Sequence, residues 1–265
     1  MRGATPGNFE NMNLAAKQFD LRNARTLATL SALAYTDEAN VHSEDGRIHG
    51  LITETEECIT ITIRGTDSIR DWITDAEFFR KSYWPNVSGL RVEVHAGFLA
   101  AFYDILGPVI DRLLRARNPR LPIFGGGHSL GGALMQLLAL ELQRQGFVIG
   151  QVYTFGQPRV GNRAFARYYD SMLGDQTFRV VYQEDIVPRV PHLPAILDPY
   201  WHSETEIFFP ATGPEYETNP SFWRLLRSDA WGWYRAFCLR HFAGALDPIT
   251  DHHVRNYQDA LWQLK

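Results

Sequence analysis

The sequence predicts an α/β fold: a mostly parallel central sheet with helices packed on both faces. Three observations carry this prediction. Short apolar runs of strand character alternate with longer helical patterns along the chain. Between 130 and 145, Ala133, Leu134, Leu137, Leu138, Ala139, Leu140 and Leu142 cover nearly the whole circumference of a helix, which only a packed interior accommodates. At 265 residues, 45% hydrophobic and 21% charged, the chain suits one large core and is short for two independent domains, so 1–265 reads as a single domain.

The elements follow in order. Residues 22–34 are helical, with Leu27, Leu30, Leu33 and Ala34 on one stripe. Residues 47–53 and 58–64 read as two strands around the polar turn Glu54-Thr55-Glu56-Glu57. Residues 97–117 carry a helical pattern interrupted at Gly107-Pro108, where a kink or split is expected. Leu121-Pro122-Ile123-Phe124 is a short buried strand, and the apolar helix 130–145 ends at Gly146, a C-terminal cap. Strands are expected at 148–155, 177–182 and 204–209, and helices at 163–173, 221–242 and 253–264. No internal repeat or low-complexity linker interrupts this order.

Composition excludes several classes. A net charge of −4 argues against nucleic acid as a partner, and no run of 18 apolar residues is present to span a membrane. The opening Met1-Arg2-Gly3-Ala4-Thr5-Pro6-Gly7 has no apolar core of a signal peptide, which predicts a cytoplasmic protein or a secreted one whose leader was trimmed. Cys58 and Cys238 read as buried thiols, and no Cys/His spacing suggests a metal site.

The chemistry centres on Gly127-His128-Ser129-Leu130-Gly131, set between a strand and the apolar helix. In such a nucleophile elbow the serine occupies a strained strand-to-helix turn that only small flanking residues permit, and the following N–H, that of Leu130, is free to hold an oxyanion. The competing reading is a glycine-rich turn with a structural serine. A serine hydroxyl needs a base and an orienting carboxylate, in the chain order Ser, acid, His for an α/β-hydrolase. Asp185 follows the strand Phe178-Arg179-Val180-Val181-Tyr182, although it would equally cap a turn before Pro188; Glu184 and Asp198 are weaker rivals. Of nine histidines, His42, His49, His192, His202 and His241 have no positional logic, His95 reads as structural, and His128 sits within the elbow. Asp251-His252-His253 lies in the expected chain order, just before the last helix.

At this point the chain resembles the class 3 lipases, a family that includes the filamentous-fungal triacylglycerol lipases. The segments that carry the resemblance are Ile63-Arg64-Gly65-Thr66 with Asp71-Trp72 beyond it, His95-Ala96-Gly97-Phe98, Gly127-His128-Ser129-Leu130-Gly131-Gly132, Phe155-Gly156-Gln157-Pro158-Arg159-Val160-Gly161-Asn162 and Asp185-Ile186-Val187-Pro188. They run in family order from about residue 20 to 200, and the histidine segment extends the match to Tyr257. The resemblance implies an α/β-hydrolase fold in which Ser129 is the nucleophile, Asp185 the orienting acid and Thr66 an oxyanion donor beside Leu130. It favours His252 over His253, because the family histidine is commonly followed five residues later by tyrosine, here Tyr257.

Residues 68–75 form a short amphipathic pattern with Ile69, Trp72 and Ile73 on one face and Arg70, Asp71, Thr74 and Asp75 on the other. Periodicity alone describes a helix packed on the core; the resemblance implies a lid over an apolar groove. The aromatic and basic insertion 211–248 matches no family motif. Its helix, 221–242, places Trp223, Leu226, Ala230, Trp233, Tyr234 and Phe237 near one face with Arg224, Arg227, Arg235 and Arg240 dispersed around it, a pattern of a core helix foremost, and otherwise of a membrane-surface helix or a wall of the acyl groove. The expected function is hydrolysis of lipid esters, triacylglycerols foremost, through an acyl-enzyme, without cofactor or metal, at a transient lipid–water interface. Alternatives are a phospholipase A1 or polar-ester esterase on the same scaffold, and a non-catalytic lipid-binding relative.

Overall fold

The computed structural model describes residues 12–65, 80–83, 91–183, 185–191, 200–203, 205–210, 216–220 and 252–264. The expected lid at 68–75, nearly all of the insertion 211–248, and Thr66, Glu184, Asp198 and Cys238 lie outside the described residues.

The chain opens with α1 (Leu21–Leu33), whose N-terminus is capped by the Asp20 carboxylate accepting from the N–H of Arg22 and Asn23. The strands β1 (Val41–His42), β2 (His49–Glu54) and β3 (Ile59–Ile63) follow, then the short β4 (Arg80–Ser82) and β5 (Glu93–His95). Helix α2 (Ala96–Leu114) leads to β6 (Ile123–His128), α3 (Leu130–Arg144), β7 (Ile149–Phe155), β8 (Gly161–Asn162) and α4 (Arg163–Leu173). The chain continues through β9 (Thr177–Tyr182), β10 (Tyr200–Trp201), β11 (Thr205–Phe209) and β12 (Glu217–Thr218), and the last described helix is α5 (Val254–Gln263).

The main sheet has the order β1-β2-β3-β6-β7-β9-β11-β12. Its centre, β3 to β11, is parallel, and antiparallel strands finish both edges. A four-stranded antiparallel sheet, β10-β8-β5-β4, sits apart from it.

Alternation along the strands divides the core into two layers. Ile59, Ile61, Ile63 and Val152 face α2, α3 and α4 together with Phe98, Phe102, Leu134 and Leu138. Tyr153, Phe155, Phe178 and Val180 face α1 and α5, with Leu27, Leu30, Tyr257 and Leu261. Helix α3 is buried around its circumference, as its composition predicts, and each fully buried leucine there contributes about 1.5–3 kcal/mol.

One expectation needs correction, and a second is narrowed. Strand β6 does not stop near Phe124 but runs through three glycines to His128; glycine carries almost no strand signal, so the register of neighbouring strands sets its length. Helix α2 passes through Pro108 without a split. The hydrogen bond that proline removes belongs to the carbonyl of Asp104, an exposed residue whose C=O water can satisfy. His95 is structural as expected, its Nδ1 accepting from the N–H of Gly97 and Phe98 at the start of α2.

Among the described residues, no helix is long and apolar enough to cross a membrane.

Candidate active site

Register brings the site together. Ile63 of β3 lies beside Gly127 of β6, His128 beside Phe155 of β7, and Phe155 beside Val180 of β9. The loops that follow these strands therefore open at one edge of the sheet, the carboxyl edge where ligands of parallel sheets collect. They carry Gly65, Ser129, Gly156 and Asp185.

Ser129 has φ 60° and ψ −130°, a left-handed conformation that costs a non-glycine residue about 1–3 kcal/mol and persists only where its surroundings enforce it. The enforcement is visible. Its N–H donates to the Phe155 carbonyl at 2.9 Å, and its own carbonyl accepts from Gly132 at 2.9 Å. The turn is so tight that a Cβ on Gly131 would lie 2.0 Å from the Ile63 carbonyl oxygen. Helix α3 then begins with no side-chain cap, which leaves the Leu130 N–H at its start for an anion.

Asp185 follows β9 through a turn with Gln183 at φ 44°. Its carboxylate is fully buried and fully used. Oδ1 accepts from the Val187 N–H at 2.8 Å, and Oδ2 faces both the His252 Nδ1 at 2.7 Å and the Tyr257 hydroxyl at 2.5 Å. Three donors thus satisfy a carboxylate that has no access to water. His252, buried beside it, turns Nδ1–H to the acid; the opposite nitrogen, Nε2, is buried without a hydrogen-bond partner among the described residues. A ring oriented by a carboxylate on one side, with a free nitrogen on the other, is what a general base requires.

The His252 ring stacks on that of His128, the residue before the serine, with centroids 4.6 Å apart. His128 is held well below the usual imidazole range, first by burial and then by the charge of neighbouring His252, and so stays neutral. Behind the pair, the backbone of Gly156 (φ 63°) passes so close that a Cβ there would lie 2.8 Å from the His252 Cε1 and 2.9 Å from the Asp185 Oδ2.

The structure thus joins Asp185 to His252 and places both against the elbow. His253 is not brought in. It is exposed and caps α5 at φ −63° and ψ 135°, one position ahead of the first helical turn in which it was expected. Three contributions were not read from the sequence: the Tyr257 bond to Asp185, the close pass of Gly156, and the contacts of His128. The sequence marks Tyr257 by its spacing from His252 and by the buried stripe it shares with Val254, Leu261 and Leu264, and a glycine directly after a strand end is the sign for Gly156. Among the described residues, no group of three or more His, Cys, Asp or Glu side chains is arranged to hold a metal ion.

Known proteins resemble this chain in sequence and in fold. The profile of the lipase (class 3) family matches residues 60–194. A lipase from Rhizomucor miehei is 36% identical over 197 residues, covering 72% of this chain and 50% of its own. A secreted mono- and diacylglycerol lipase from Fusarium solani is 36% identical, covering 56% of this chain and 43% of its own. This chain therefore spans half or less of the length of these curated relatives. Among solved structures, that of a triacylglycerol lipase whose catalytic centre is formed by a serine protease triad superposes with a TM-score of 0.63 at 31% identity, covering 76% of this chain and 84% of that one.

Proposed function

We propose, for a chain that belongs to the class 3 lipase family, that Ser129, His252 and Asp185 act as the triad of a carboxylic ester hydrolase whose substrates are acylglycerols. The observation that carries the reading is the buried His252–Asp185 contact, 2.7 Å long and spanning 67 residues of sequence, set beside a serine in a strained elbow.

The chemistry follows from these positions. Ser129 Oγ attacks the ester carbonyl carbon while His252 Nε2 takes its proton, and Asp185 holds the ring and stabilises the imidazolium. The Leu130 N–H and the Thr66 N–H hold the oxyanion, each donor contributing roughly 10²–10³ in rate. Collapse of the tetrahedral species passes the proton from His252 to the departing alcohol and leaves an acyl-serine. A water, deprotonated by the same histidine, then attacks the acyl carbon; the products are a carboxylic acid and free Ser129.

Acylglycerols are favoured by the names of the relatives, and residues 68–75 serve in this reading as a lid that opens at a lipid surface through Ile69, Trp72 and Ile73. Secretion is favoured in the same way, by the Fusarium protein.

The test is twofold. A fluorophosphonate probe labels the wild type and leaves Ser129→Ala unlabelled; an unlabelled wild type would indicate a lipid-binding relative without catalysis. A panel of tri-, di- and monoacylglycerols, phospholipids and short soluble esters then ranks the substrates. A rate that jumps as an ester passes its solubility limit supports the lid, and smooth saturation through that limit removes it.

A further inference from the structure

We infer that His128 is a positioning residue of this site: it ties the backbone of His252 to the end of β3 through Tyr35, and so holds the base in register with the oxyanion loop. The inference rests on the triad proposed above and adds to it a part that touches no substrate.

Three hydrogen bonds form one continuous chain. The Gly65 N–H and the Tyr35 Oη are 2.8 Å apart, the Tyr35 Oη and the His128 Nδ1 2.9 Å, and the His128 Nε2 and the His252 carbonyl oxygen 2.6 Å. With His128 neutral, one assignment of protons satisfies all three links. A backbone N–H must donate and a carbonyl must accept. The Tyr35 hydroxyl therefore accepts from Gly65 and donates to Nδ1, and His128 carries its proton on Nε2 and donates to His252. That tautomer is neutral, the form that burial already imposes on this ring.

The two ends of the chain matter. Gly65 precedes Thr66, where the second oxyanion donor belongs, and the far end is the backbone of the base itself. His128 in turn precedes the nucleophile. One side chain thus spans three segments far apart in sequence, the links bridging 30, 93 and 124 residues. His252 lies in a 3-10 turn directly before α5, outside that helix and outside the strands. Its ring is oriented by Asp185 and its backbone by His128, and the two imidazoles pack at a tilt with centroids 4.6 Å apart.

The experiment uses two isosteric halves of the imidazole. In His128→Asn the amide oxygen reaches the place of Nδ1 and can still accept from Tyr35, but nothing donates to His252. In His128→Gln the longer amide brings an N–H to the place of Nε2 and keeps that bond. With p-nitrophenyl butyrate, His128→Asn is expected to lose about 30- to 100-fold in kcat with KM within about threefold, since a misplacement of the base slows chemistry without loosening substrate. His128→Gln is expected to recover most of that loss, to within about fivefold of wild type. A folded His128→Asn with wild-type kcat overturns the inference. So does an equal loss in both variants, which would mean that ring packing rather than the donor matters.

If His128→Asn does not fold, the nearly isosteric Tyr35→Phe decides: a several-fold fall in kcat at unchanged KM supports the chain, and wild-type kcat removes it. Ser129→Ala and His252→Ala, measured alongside, keep the two levels apart. If either retains activity the triad itself is wrong; if both are inactive while His128→Asn is not impaired, only the positioning role falls.

Discussion

The Tyr257 hydroxyl and the His252 imidazole converge on a single atom, Oδ2 of Asp185, at 2.5 and 2.7 Å. The tyrosine comes from α5 and the histidine from the turn before it, five residues earlier, so one short segment delivers both partners of that oxygen. The same hydroxyl lies 3.4 Å from the Tyr182 N–H at the end of β9, which locks the helix against the strand that carries Asp185.

Tyr257→Phe keeps the ring in its buried place and removes that donor. A hydrogen bond to a buried charge contributes about 1.5–3 kcal/mol, so urea unfolding should shift by an amount in that range. Hydrolysis should slow about tenfold at unchanged KM, because the acid loses part of its orientation but not its contact with His252. Unchanged stability would mean that the hydroxyl is satisfied equally well elsewhere.

The neighbouring histidines are separated by exposure. His252 is 2% exposed and bound to Asp185, whereas His253 faces solvent. His252→Ala should lose about 10³-fold or more in kcat, and His253→Ala should stay within about tenfold of wild type. Steady-state kinetics on one soluble ester reads both, and the reverse pattern would move the base to His253.

Gly156→Ala adds a methyl into the space of the His252 ring and the Asp185 carboxylate, at a φ of 63° that resists any side chain. Backbone strain should cost about 1–3 kcal/mol. The displaced imidazole should lower kcat about 10²-fold, a loss out of proportion to the stability change. A variant that is destabilised yet fully active would show that the methyl is absorbed without moving the ring.

Stability should fall on the acid side of neutrality. His128 and His202 both sit well below the usual imidazole range, chiefly through burial; His202 is depressed further by Arg179 and Arg159, and its Nε2 donates to the Pro188 carbonyl at 2.5 Å. Both are neutral when folded and take up a proton near about pH 6.5 when unfolded. Below that pH the unfolded chain binds more protons, so stability drops as pH falls, by up to about 1.4 kcal/mol per pH unit for each histidine. Above pH 7 neither contributes a slope. Urea titrations at pH 7.5 and 5.5 should show the loss, and His202→Gln should reduce it. An unaltered slope in that variant would assign the effect to other groups.

The sequence determined what is local. A strand, a glycine-flanked serine and an apolar helix in immediate succession specify the elbow, because the turn admits no other residue sizes, and Ser129 stands at φ 60° as that reasoning requires. Helix α3 was legible because its apolar residues cover its whole surface, and the alternation of helix and strand implied a parallel sheet. The two- and three-residue strands β1, β4, β5, β8, β10 and β12 were not legible, since segments so short show no periodicity. Which acid meets which histidine was a matter of tertiary structure. Composition left Asp185 an ordinary turn residue, and its contacts with His252 and Tyr257 depend on β9 lying in register with β7 and on α5 packing over both. The tie from Gly65 through Tyr35 and His128 to His252 has no sequence signature either. Its links cross tens of residues, and hydrogen bonds of that kind are set only when separate strand ends meet at one edge of a sheet.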